Sequence, residues 1–254
     1  MKIAVLFKVV LDDQDIGVDA SGALDYSRAQ NTVSTYDLNA LEAAARLASA
    51  SEGSMVHAFT VGGPEIDDSK LRKNVLSRGV DELFMVADEC CANLDAHASA
   101  IVLVQALQTH GSYDVIISGD GSADLFAKQV DIQVAAGLDW PYVSGAVAIE
   151  TSVYTDALAV KRLLENKAEN LKVPLPAVVS VSPDIAPPRI CGMKEILAAG
   201  KKPVHILDVV EVPAKAVEII YERAPKQKHR DLVIYDSGTE GDTDKFIQAV
   251  KAVL

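Results

Sequence analysis

Directly after the apolar run Val115-Ile116-Ile117 the chain reads Ser118-Gly119-Asp120-Gly121-Ser122-Ala123-Asp124-Leu125-Phe126-Ala127-Lys128-Gln129-Val130. Small residues here predict a sharp turn from strand into helix, whose unpaired N–H groups and positive dipole end can hold a phosphate. The stretch is neither a P-loop nor a spaced dinucleotide fingerprint, so on its glycines alone it reads first as an ordinary strand-to-helix turn, and the rest of the chain has to supply the case for a nucleotide. Other chemistry finds little support. Cys90, Cys91 and Cys191 form neither a disulfide framework nor a CxxC pair, and the five histidines make no metal-ligand array, so the cysteines read as reduced thiols and no metal site is expected. His57 sits inside an apolar strand pattern and reads as an interior histidine.

Those residues need a scaffold. In the first half, Ile3 to Phe7, Val56 to Val61, Leu83 to Val86 and Val115 to Ile117 read as buried strands, and Asp37 to Ala50, Ser69 to Ser77 and Asp95 to His110 as helices. This βαβ rhythm predicts a twisted parallel sheet with helices on both faces, a Rossmann-like adenine-nucleotide-binding α/β fold that takes ligands beyond the carboxyl ends of its strands. The loops there are Lys8-Val9-Val10, Gly62-Gly63-Pro64 and Gly119 to Asp124. A long connection from Leu11 to Thr35 leads to cap-type residues at Thr35 to Asp37.

After Trp140-Pro141 the rhythm changes. Val143 to Ile149 and Ala157 to Val160 read as a hairpin, Leu171 to Val181 as one further strand, and Met193 to Ala199 as a short helix before the strand Val204 to Leu207. Val209 to Arg230 loses periodicity and reads as an extended arm, and Asp244 to Leu254 as an amphipathic terminal helix. The expected organisation is a nucleotide-binding domain over 1–208 with a hairpin insertion around 143–182, then a C-terminal arm and helix over 209–254 that contact a partner subunit.

With 254 residues, 49% of them hydrophobic, the chain can bury a large core, and its net charge of −12 argues against a nucleic-acid partner. No stretch is long and apolar enough to span a bilayer and no signal-peptide pattern opens the chain, so a soluble, cytoplasmic protein is expected.

Taken in order, Lys8 and Val10, Ser34-Thr35-Tyr36-Asp37, Leu71-Arg72, Gly79-Val80-Asp81, Gly119, Asp124, Gln129, Trp140-Pro141, Arg162, Leu175-Pro176-Ala177-Val178-Val179, Pro188-Arg189 and Lys201-Lys202 resemble the beta subunit of electron transfer flavoproteins. The Tyr-Asp-Leu-Asn-Ala and Gly-Asp-Gly-Ser-Ala-Asp-Leu wording is similar to the branch linked to anaerobic acyl-CoA reduction of the carnitine type.

The resemblance implies an electron carrier with no bond-making catalysis of its own. Its partners would be an alpha subunit, which holds most of a shared FAD, and flavoenzymes of the acyl-CoA dehydrogenase or reductase type. It also implies an adenine nucleotide in this subunit: AMP in ordinary carriers, or a second FAD in electron-bifurcating ones. Phe7, Lys8, Val9 and Ser34 would enclose the adenine and ribose, with Val61 and Gly62 alongside. Gly119, Asp120, Asp124, Ala127, Lys128, Gln129 and Val130 would meet the phosphate. Asp124, whose charge would repel a phosphate, is expected to cap the helix. Lys128 reads either as a phosphate cation or as a solvated lysine. Val130 replaces a common Thr, removing one hydroxyl, and Asp13 replaces a Tyr often found near the alpha-subunit flavin. Met193, flanked by Ile190 and Ile196, falls where the family presents an apolar anchor to partner enzymes; without the family it reads as packing of the short helix.

Two other classes remain. One is a stand-alone adenine-nucleotide module. The other, an adenylating ligase or pyrophosphatase, would need a Ser-Gly-Gly phosphate grip after the first strand, where this chain has Lys8-Val9-Val10-Leu11.

Overall fold

The computed structural model describes residues 1–152, 156–226 and 232–253. Nine strands form one sheet: β1 (Lys2–Leu6), β2 (Met55–Gly62), β3 (Glu82–Ala87), β4 (Val115–Gly119), β5 (Tyr142–Thr151), β6 (Ala157–Leu164), β7 (Lys167–Pro174), β8 (Ala177–Val181) and β9 (Val204–Ile206). Their order across the sheet is β7-β6-β5-β8-β4-β1-β2-β3-β9. From β5 to β9 every neighbouring pair is parallel, while β6 and β7 add an antiparallel extension. The Rossmann-like α/β expectation holds.

The apolar runs explain why the sheet is covered on both faces. Ile3 and Val5 of β1 point into one core layer with α1 (Thr35–Ser49), α2 (Ser69–Leu76) and α5 (Met193–Ala199), through Leu41, Val75 and Ala199. Ala4 and Leu6 point into the other, with α3 (Ala96–His110) and α4 (Val130–Leu138), through Leu103 and Val134. The helix starts follow their caps: Asp68 accepts the Lys70 and Leu71 N–H groups ahead of α2, and Asp95 accepts that of Ala98 ahead of α3.

Two expectations need correction. The single strand over Leu171 to Val181 is two: Pro174 and Pro176, which have no N–H to donate to a ladder, break it. Residues before the break pair antiparallel with β6, and Ala177–Val181 crosses to lie between β5 and β4. The sharp turn into a helix at Gly119 is also absent, because ten residues, 120–129, separate β4 from α4.

The chain divides into two compact units, residues 1–17 with 25–221, and residues 18–24 with 222–254. The first holds the sheet. In the second, the N–H of Ala224 donates to the Gly22 carbonyl and α6 (Asp242–Lys251) buries none of its side chains. Residues 209–226 carry no helix or strand, and Glu211, Ala216 and Val217 donate backbone N–H groups to Gln105 and Asp95. The end of the expected arm, Gln227 to Arg230, and Leu254 lie outside the described residues.

Candidate functional site

From β1 the chain builds to β2 and β3 on one side, then returns to place β4 on the other. The strand order therefore reverses between β1 and β4, and it is beyond the carboxyl ends of such strands that open α/β sheets bind ligands.

Asp37, in the first turn of α1, joins the two strand ends. Its Oδ2 accepts the Lys8 N–H (2.8 Å) and its Oδ1 the Gly119 N–H (3.1 Å). The side chain is buried, and burial pushes its carboxyl up to about 7 against the pull of those two N–H groups and the Lys8 ammonium. Gly119 is required by this contact: a Cβ there would stand 2.7 Å from Asp37 Oδ1 and from the Tyr36 carbonyl carbon. Ser34, fully buried, turns its hydroxyl away from its own helix to accept the Ala123 N–H (3.2 Å), which ties the β4 loop to the start of α1.

The loop over 120–129 is shaped by side chains more than by glycines. Phe126 and Lys128 both take left-handed backbone, with φ of 48° and 54°. The Phe126 ring lies against Tyr36, 5.0 Å between centroids, and over Gly121, where a Cβ would meet it at 2.5 Å. Lys128 Nζ sits 4.6 Å above that ring and 2.6 Å from Asp120 Oδ2.

Lys8 Nζ reaches across to Asp124 Oδ2 at 2.5 Å. Burial would raise the Asp124 carboxyl, but the Lys8 ammonium and the Ser122 hydroxyl outweigh it and hold the group below its ordinary value. The expected helix-capping role of Asp124 is not found: the residue ahead of α4 is Gln129, which makes no side-chain cap bond. The sign problem is met instead by an ion pair.

Lys8, Ser34, Gly119, Asp120, Asp124 and Lys128 are thus linked around one cleft rim. Phe7 is buried, its N–H donating to the Phe59 carbonyl, and Val9 pairs with Val33 in a short antiparallel ladder. Val61 and Gly62 end β2, where the Gly62 carbonyl accepts the Asp88 N–H. Ala127 and Gln129 are exposed, and Val130 packs partly into the α3–α4 core layer. Asp37 and Phe126 complete the group without having been assigned a site role from sequence. An acid in a helix's first turn signals a cap; only the fold turns it onto another strand's end.

Against an adenosine monophosphate group, the rim supplies two ammonium groups, Lys8 and Lys128, both more than a third exposed and each set against a carboxylate. On the two faces of the sheet, the hydroxyls of Thr60 in β2 and Ser118 in β4 are buried and unpartnered. The rim's donor set fits a polar ligand carrying one anionic group.

A second set lies apart from the cleft. Ile190, Met193 and Leu197 are 99%, 71% and 67% exposed, and Ile196 is at the edge of exposure; of α5 only Ala199 is buried. Met193 therefore does not pack inward.

Elsewhere, His57 is buried with Nδ1 3.1 Å from the Tyr113 hydroxyl and Nε2 without a partner, and burial lowers its pKa. Burial raises the Cys91 thiol to about 12, which makes it a poor nucleophile. Among the described residues no group of three or more His, Cys, Asp or Glu could hold a metal, and no helix is long and apolar enough to cross a membrane.

The strand order, reversing between β1 and β4, defines a Rossmann-like α/β protein. The family model for the electron transfer flavoprotein domain matches residues 22–212, and the chain belongs to that family. Its members are electron carriers that bind flavin or adenine nucleotide.

Proposed function

We propose that this chain is the beta-type subunit of an electron transfer flavoprotein heterodimer, with AMP in the cleft between β1 and β4 and a FAD shared with an alpha subunit. The supporting observation is the Asp37 bridge. One buried carboxyl group fixes the backbone at Lys8 and Gly119, so the two loops that would enclose a nucleotide are held in register with each other. Lys8 and Lys128 would meet the phosphate by exchanging their carboxylate partners for it.

In this reading the chain makes and breaks no bonds; the flavin supplies the redox chemistry. Ile190, Met193 and Ile196 dock flavoenzymes of the acyl-CoA dehydrogenase or reductase class, because a small redox interface can rest on a few exposed apolar side chains. The arm after Val209 and the terminal helix contact the alpha subunit. Support for this is that Ile220, Leu232, Ile234 and Val253 are each more than four-fifths exposed. The wording around Tyr36-Asp37-Leu38-Asn39-Ala40 favours the carnitine-type branch.

Chromatography of what leaves the co-expressed complex on denaturation tests this. One flavin with one AMP per complex is expected. Two flavins would replace the AMP assignment with electron bifurcation, and a stable single chain that releases ATP and recovers no flavin would make it a stand-alone nucleotide module.

A further inference from the structure

The exposed segment from Ile190 to Ala198 is held at both ends, and both ends are tied to the same place, the carboxyl end of α2. On the entry side, Arg78 donates from its guanidinium to the Arg189 carbonyl (2.6 Å), and the Arg189 guanidinium pairs with the buried Glu42 (2.6 Å). Glu42 also holds Arg46 at 2.7 Å, so its charge is matched within the body of the protein. Two residues after Arg189, the Cys191 thiol donates to the Ser77 carbonyl (3.4 Å).

On the exit side, Lys202 Nζ donates to the carbonyls of Leu76 (2.9 Å) and Val80 (2.5 Å). A helix ends with unsatisfied carbonyls and a negative dipole end, so an ammonium there gains both hydrogen bonds and charge attraction. Gly79 lies between these ties with φ of +91°, and a Cβ there would stand 2.8 Å from Ala45 Cβ and 3.3 Å from the Arg189 guanidinium.

We infer that Lys202 and Arg78 are positioning residues: they pin the two ends of the Ile190–Ala199 segment to the end of α2 and so present Ile190, Met193 and Leu197 in one fixed arrangement. The adjacent lysines accordingly divide their labour. Lys202 is committed to backbone carbonyls, and Lys201, which is exposed, is the cation facing solvent. Fixing the segment matters because ordering loose side chains and backbone on encounter would cost affinity. The inference rests on the docking role proposed for Met193, yet the clamp has its own readout.

The test compares Lys202→Met, Lys202→Arg, Arg78→Met and Lys201→Met in the full chain co-purified with its flavin subunit. Amide hydrogen exchange over residues 190–199 is expected to quicken roughly tenfold or more in Lys202→Met and Arg78→Met, the effect of losing charge-assisted hydrogen bonds. Lys201→Met should leave it unchanged, Lys202→Arg should restore most of the protection, and β1 and β4 peptides should not respond. Equal exchange in all four variants overturns the clamp. Because Lys202→Met can fail to fold, Arg78→Met carries the same comparison from the other end. The second readout is electron transfer from a purified acyl-CoA dehydrogenase reduced by its substrate. The clamp variants should raise the apparent KM for that protein several-fold with flavin content and kcat unaltered. Faster exchange with KM unmoved, in Met193→Ala as well, would keep the clamp and remove the docking reading.

Discussion

The ends of β1 and β4 and the exposed Ile190–Ala199 segment break the ordinary partition of residues in opposite ways. At the cleft, polar groups go inside: Ser34 and Asp37 are buried, and each is satisfied by backbone N–H groups from elements remote in sequence. At the segment, apolar groups go outside, and Ile190 and Met193 stand in solvent on a backbone clamped by Arg78 and Lys202. In both, a residue type is placed against its solvation preference and backbone hydrogen bonds hold it there. The apolar runs of the sheet, such as Val115-Ile116-Ile117, instead follow hydropathy.

Removing residues 209–254 should produce the largest effect, complete loss of the heterodimer on size-exclusion chromatography. An intact complex after truncation would break the assignment of the exposed C-terminal side chains to the alpha subunit.

The next effect separates the cleft from the rest of the fold by pH. Folding raises the Asp37 carboxyl from its ordinary value to about 7, so the folded state binds that proton more tightly than the unfolded chain. Its contribution to stability is therefore full below pH about 4 and is lost as pH rises toward 7, a change on the order of 4 kcal/mol for about three pK units. Asp37→Asn should flatten the stability profile over that window in urea titrations. An identical slope in the variant would show that the carboxyl is not buried as described.

Gly119→Ala should cost about 1–3 kcal/mol by crowding Asp37 and Tyr36, and should lower nucleotide retention in the same step. Gly53→Ala makes a useful control. It has left-handed backbone with nothing within 4 Å, so it is strained locally without touching the cleft.

Lys128→Glu sharpens the rim alone. It should reduce nucleotide recovered after denaturing extraction several-fold with little change in melting temperature, since the Lys128 side chain is 45% exposed and its pairing with Asp120 contributes at most about 1 kcal/mol. Met193→Ala, the smallest change, should slow electron exchange with the partner dehydrogenase severalfold and leave both nucleotide and flavin content alone. Unaltered exchange removes the anchor role.

What the sequence by itself determined was the layered sheet. Runs such as Val115-Ile116-Ile117 and the spacing of Leu41, Ala44 and Leu47 are burial signals carried by each segment alone, and those strands and helices stand within a few residues of where periodicity places them. It also marked the loops that the fold gathers at one edge of the sheet, because parallel strands joined by helical crossovers all end on the same side. The break at Pro174 and Pro176 was written in the sequence too, in two residues that cannot donate, although the apolar run around them reads as one strand. Only the tertiary structure decided which polar groups meet. Asp37 and Gly119 are 82 residues apart, Lys8 and Asp124 are 116 apart, and Lys202 and Leu76 are 126 apart. Hydropathy is a property of single segments, whereas a hydrogen bond depends on angles and distances between two of them, and these exist only after the strand order has reversed around β1.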